Sequence, residues 1–169
     1  LNVIGSKNDP IESIAEQIEQ SVNEHWISKG IPPSLKTKTK KTVAGVIKSL
    51  KNLSIELHKK DHGLILMVDE MGKFLDFASS VGSDLNLFQE IAENFSNLRL
   101  NNEADPVFIG ILHQPFEEYA SSLGRSVQED WQKIQGRFED IPFSINSEET
   151  AHLISKAIKQ KKEDKQFTV

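Results

Sequence analysis

Leu64-Ile65-Leu66-Met67-Val68 is a continuous apolar run of strand length, and it ends abruptly in Asp69-Glu70. Five such residues suit a buried strand, and the two carboxylates then arrive at its C-terminal edge. Ligand chemistry in an open α/β sheet gathers at that edge. Two adjacent acids beside an oily strand lose solvation unless a cation or a proton compensates. The plain alternative is a structural strand whose exit happens to be acidic.

The rest of the chain alternates helical and strand-like patterns. Leu1-Asn2-Val3-Ile4-Gly5 reads as the end of a strand. Asp9, Pro10 and Glu12 make a helix start with a capping box. The stripe Ile11, Ile14, Ala15, Ile18, Val22 and Trp26 gives that helix one packing face. Gly30-Ile31-Pro32-Pro33 stops it, and a second amphipathic helix carries Val43, Val46, Ile47, Leu50, Leu53 and Leu57. After the acidic strand exit, Gly72-Lys73-Phe74 leads into a short helix. Val81-Gly82-Ser83 breaks the chain before a third helix with Leu87, Phe88, Ile91 and Phe95.

Val107 to Leu112 is a second apolar run, ending in His113-Gln114-Pro115. Ser126 with Glu129 is expected to cap another helix, facing inward through Val127, Trp131 and Ile134. Ile141 to Ile145 reads as a third, shorter strand. Asn146 with Glu149 then caps a last helix bearing Leu153, Ile154, Ala157 and Ile158. This alternation reads as α/β, a mostly parallel sheet flanked by helices. Residues 1–158 form the expected core, and 159–169 a polar tail that frays. There is no internal repeat.

A length of 169 residues suffices for one good core. The net charge of -5 gives no bulk electrostatic case for nucleic-acid binding, which stays possible but unsupported. Lysines cluster at positions 36–51 and again at 156–165; the first group reads as a solvated helix face, with a surface facing a phosphate backbone as the alternative. Absence of cysteine rules out disulfides and thiolate metal sites and suits a reducing, cytoplasmic setting. No stretch approaches a membrane span, and no secretory signal layout is present, so no membrane partner is expected.

The strand tips carry the candidate chemistry. Asp69 can hold the hydration shell of a magnesium ion bridging nucleotide phosphates. Glu70 can orient or deprotonate a water aimed at the terminal phosphoryl group. His113 or Gln114, at the tip of the next apolar run, can touch that phosphate or that water; capping of local backbone is the alternative for His113. Arg137, between Gly136 and Phe138, can reach a phosphate bound by a neighbouring subunit, unless it simply pairs with Glu139 or Asp140. Arg125 is a second candidate for that role. Lys73 and Lys51 read as solvated bases. The scattered His25, His58, His62 and His152 do not make a zinc site.

Together these residues resemble the AAA+ ATPases and their relatives among the P-loop NTPases. Leu64 to Glu70 looks like the Walker B strand with its magnesium-side aspartate and catalytic glutamate, continued by Met71-Gly72-Lys73-Phe74-Leu75. Val107 to Gln114 is similar to the strand bearing the sensor 1 residue, although His113 or Gln114 replaces the usual asparagine, serine or threonine. Gly136 to Phe143 resembles the box with a possible arginine finger, and Asn146 to Ile158 the start of the small helical region. The resemblance implies ATP and Mg2+ as cofactors of the intact parent protein.

One part of that pattern is absent. A Walker A loop ends in Gly-Lys-Ser or Gly-Lys-Thr, so that backbone amides and the lysine grip phosphates. Gly5-Ser6-Lys7 has the wrong order, and Gly72-Lys73-Phe74 follows the acids. The resemblance implies that the phosphate loop and its strand precede residue 1, in a fold that places this strand centrally, between the sensor-bearing strand and the last one. Its removal leaves unsatisfied strand edges. The expected partner is therefore the rest of its own ATPase, or another copy in self-association. The 169 residues alone are not expected to hydrolyse ATP. The alternative is a noncatalytic interaction module derived from the same fold.

Overall fold

Asn2–Ile4 (β1), Ile65–Asp69 (β2) and Val107–Gly110 (β3) form one parallel sheet in the order β1-β2-β3. The computed structural model describes residues 1–26, 38–81, 86–115, 118–119, 125–142, 151 and 155–156. Register is fixed by Val3 opposite Val68 and by Leu66 opposite Phe108. The chain divides into two units, Leu1–Phe138 and Glu139–Val169. In the second, residues 151, 155 and 156 are helical, while Ile141 and Pro142 lie in no strand. The rest of the expected third strand, residues 143–145, and most of the expected last helix lie outside the described residues.

Helix α1 (Pro10–Gln20) starts as its sequence dictates. The Asp9 carboxylate accepts from the Ile11 amide at 2.7 Å, and Pro10 occupies the first turn, where no donor is needed. Glu12 does not close the expected capping box; it pairs with Lys41, which also meets Glu16 at 2.7 Å. These two acids raise the Lys41 pKa above the usual lysine value. A π-helical turn, Ser21–Trp26, extends α1 and keeps Val22 in the core. Helix α2 (Val43–His58) is capped by Thr42, whose hydroxyl accepts from the Gly45 amide. Helices α3 (Met71–Val81), α4 (Asn86–Leu100) and α5 (Arg125–Gln135) complete the described set. Helix α5 begins at Arg125, one residue before the expected cap at Ser126.

The core lies on one face of the sheet. Val3, Leu64, Leu66 and Val68 are buried there against Ile14, Ile18, Leu50, Phe74, Phe88 and Ile91. An aromatic chain runs outward from it, Phe74 to Phe88 to Phe108 to Phe138, the last pair edge-on at 5.0 Å. Two successive crossovers step across the sheet in the same direction, so right-handed connections bring both sets of helices to the same side.

The expected parallel sheet flanked by helices is present with three strands, and among the described residues its opposite face is exposed. Ile4 is 65 % exposed, Ile65 52 %, Val107 44 % and Ile109 38 %. The strand pairing puts Ile65 beside Val107 and Met67 beside Ile109, so these side chains form one apolar patch. Its outer margin is β3, whose Val-Phe-Ile-Gly sequence carries none of the charges or prolines that blunt an edge strand.

Candidate functional site

The site is built on the exit of β2, the middle strand. Asp69 is its last residue, paired in register with Ile4, and its main-chain oxygen accepts from the Gly5 amide at 2.7 Å. The Asp69 carboxylate turns back, and Oδ1 accepts from the Glu70 amide at 2.8 Å. Glu70 then takes a left-handed backbone conformation, φ 51°. The chain enters α3 at once, with the Glu70 carbonyl accepting from the Lys73 amide at 2.9 Å.

The tip of β3 is fastened to this turn. The Ile111 amide donates to the Val68 carbonyl at 2.9 Å, and the Met71 amide donates to the Ile111 carbonyl at 3.0 Å. Gly110 permits the closeness, since a Cβ there would stand 2.5 Å from Met71 Sδ. His113, two residues past Ile111, consequently arrives over Glu70, with Nε2 3.6 Å from Oε1. That distance is electrostatic contact and too long for a hydrogen bond. Of the two candidates at this tip, His113 is the one brought to Glu70; Gln114 is exposed in the same bend.

Lys73 is the residue whose role sequence reading missed. Instead of standing free in solvent, its ammonium sits 2.5 Å from Glu70 Oε2, across one turn of α3. The signal was present in the i,i+3 spacing of acid and base at a helix start. The Lys73 hydrogen bond holds the Glu70 carboxyl below the usual carboxylate range. Partial desolvation opposes this, while the charge of Lys73 and then His113 assist. A carboxylate so held is a good acceptor for an oriented water and a weak base until Lys73 moves.

Arg137 lies away from this edge. Its guanidinium meets Glu93 Oε1 at 2.7 Å, near the middle of α4, and remains half exposed. The neighbouring Phe138, edge-on to Phe108, anchors the backbone that carries it. Arg125 opens α5, and its side chain lies outside the described residues.

Among the described residues, no group of three or more His, Asp and Glu side chains is placed to hold a metal ion by itself. Magnesium carried on nucleotide phosphates asks for less, because one or two carboxylates suffice when phosphate and water complete the shell. Asp69 Oδ1 is engaged by the Glu70 amide, which leaves Oδ2 as its remaining carboxylate acceptor among the described contacts. Among the described residues, no helix is long and apolar enough to cross a membrane. No protein-family model, curated protein or solved structure matches the chain.

Proposed function

We propose that this chain is the acid-bearing portion of a P-loop ATPase of the AAA+ type, completed by other parts of its parent protein. The observation that carries the reading is the joint placement of Asp69 and Glu70 at the carboxyl end of the middle parallel strand, with His113 reaching Glu70 from the next strand tip. Asp69 would hold the magnesium side and Glu70 would orient the attacking water. His113 would register the terminal phosphate, and Arg137 would act across a subunit boundary. Bound ATP with Mg2+ supplies the phosphoryl group and the charge that these residues handle.

Two further observations support it. The outer edge of β3, unpaired among the described residues, is where the resemblance puts the phosphate-loop strand. A parallel strand there, continuing into β1, has to cross back in the reverse direction. A right-handed crossover then lays its helix over the bare face of Ile4, Ile65, Val107 and Ile109. One βα unit would satisfy both the edge and the face. A second copy pairing edge to edge would satisfy only the first.

The bare apolar face also favours a second reading, a noncatalytic module that uses this surface for assembly. Phosphate release and ATP binding by the isolated 169 residues separate the parent-dependent ATPase from a self-sufficient one, and magnesium-dependent turnover by the intact protein separates it from the noncatalytic module. The proposal expects neither above background, because this chain has no phosphate-gripping loop. Robust magnesium-dependent turnover by the isolated chain would contradict it.

A further inference from the structure

Three described non-glycine residues have positive φ: Asp61 at 57°, Glu70 at 51° and Asn102 at 54°. Asp61 and Asn102 sit in the turns that follow α2 and α4, and their short polar side chains enter this region readily. Glutamate has no such ease, so something must hold Glu70 there. Two hydrogen bonds contribute, from the Glu70 amide to Asp69 Oδ1 and from the Lys73 amide to the Glu70 carbonyl. The third contact is steric and comes from β1. A Cβ built on Gly5 would overlap the Glu70 carbonyl oxygen, lie 2.7 Å from its carbonyl carbon and lie 3.1 Å from the Asp69 carbonyl oxygen. Gly5 does not itself have a left-handed φ, so what position 5 requires is space.

We infer that Gly5 is a positioning residue for Glu70. Its missing side chain lets the exit of β1 seat flush against the Glu70 carbonyl, with the Gly5 amide bonded to the Asp69 carbonyl. The peptide after Glu70 is thereby held in one orientation. That orientation keeps Glu70 left-handed and points its carboxylate across the strand tips toward His113. Any side chain at position 5 forces the Glu70 peptide to rotate and carries the carboxylate away from that edge. The catalytic consequence rests on the proposal that Glu70 orients water; the backbone consequence does not.

The test begins with the labelled 169-residue chain, measuring φ at residue 70 from through-bond couplings. Gly5→Ala is expected to move Glu70 to negative φ, and a Glu70 that stays left-handed in this variant overturns the inference. Should Gly5→Ala fold too poorly for that, melting temperatures of Glu70→Gly and the double variant decide. Glycine at 70 can turn freely. The alanine is therefore expected to lower the melting temperature less in the Glu70→Gly background than in wild type, and an equal loss in both overturns the inference.

Turnover by the intact protein is the second readout. Gly5→Ala is expected to lower kcat on the order of a hundredfold, the cost of misplacing a reacting group by about 1 Å. KM for ATP should stay within about threefold, the signature of a loss confined to the transition state. In a Glu70→Gln background the same alanine should change nothing further, whereas an equal drop in both backgrounds overturns the positioning role. Wild-type turnover that is indifferent to Glu70→Gln would instead sink the ATPase reading, and the coupling result would stand apart from it.

Discussion

Glu70 Oε2 lies 2.5 Å from Lys73 Nζ, so the acid that the strand delivers to the sheet edge is already engaged by a base one helical turn on. This pairing depresses the Glu70 pKa, with His113 adding to the effect. A depressed carboxylate stabilises the fold above its unfolded pKa, and the contribution is lost as pH falls through the folded value. Lys73→Met should therefore raise the Glu70 pKa toward the ordinary carboxylate range. A carbon-detected NMR titration of the Glu70 carboxyl checks this, and an unchanged midpoint would contradict it.

The two faces of β2 should respond very differently to substitution. Leu66 is fully buried in the helical layer, so Leu66→Ala should cost about 2–5 kcal/mol in urea unfolding. Ile65, its neighbour, is 52 % exposed on the bare face, and Ile65→Thr should stay within roughly 1 kcal/mol of wild type. Similar losses at both positions would mean that the second face is covered.

Much of this fold is legible in the chain, for reasons that particular residues make plain. Asp9-Pro10 marks the start of α1 because a capping carboxylate and a proline without an amide both suit a helix's first turn. The apolar run at 64–68 identifies a strand, yet it hides which face is buried. Ile65 and Leu66 are equally oily, and a continuous run lacks the period-two contrast that separates a one-sided strand from a two-sided one. The resting partner of Arg137 was hidden for a related reason, since Glu93 is distant in sequence and nothing local marks it. The demand on Gly5 was equally silent, because it arises from a backbone contact with a residue 65 positions away, counted from Gly5 to Glu70.

The start of α1 offers a direct check on local stability. Asp9→Ala removes the acceptor for the Ile11 amide and should cost about 1 kcal/mol, measured by urea unfolding. Asp9→Asn, which keeps an acceptor oxygen, should recover most of that loss.

Arg137 tests whether the site is shared between subunits. If its guanidinium leaves Glu93 to serve a neighbouring site, Arg137→Ala and Glu70→Gln should each suppress turnover of the intact protein. Mixtures of the two variants should then regain part of it, because some interfaces pair an intact glutamate with an intact arginine. Recovery is read as phosphate release against mixing ratio, and flat mixtures would place Arg137 outside the reaction.

The central claim is that Glu70 acts on the water that attacks ATP. Steady-state phosphate release by the intact protein, compared between wild type and Glu70→Gln at saturating ATP and Mg2+, tests it most directly. The expected result is magnesium-dependent turnover in wild type and a loss on the order of a hundredfold or more in the variant, with ATP still bound. Turnover that persists unchanged in Glu70→Gln would contradict it.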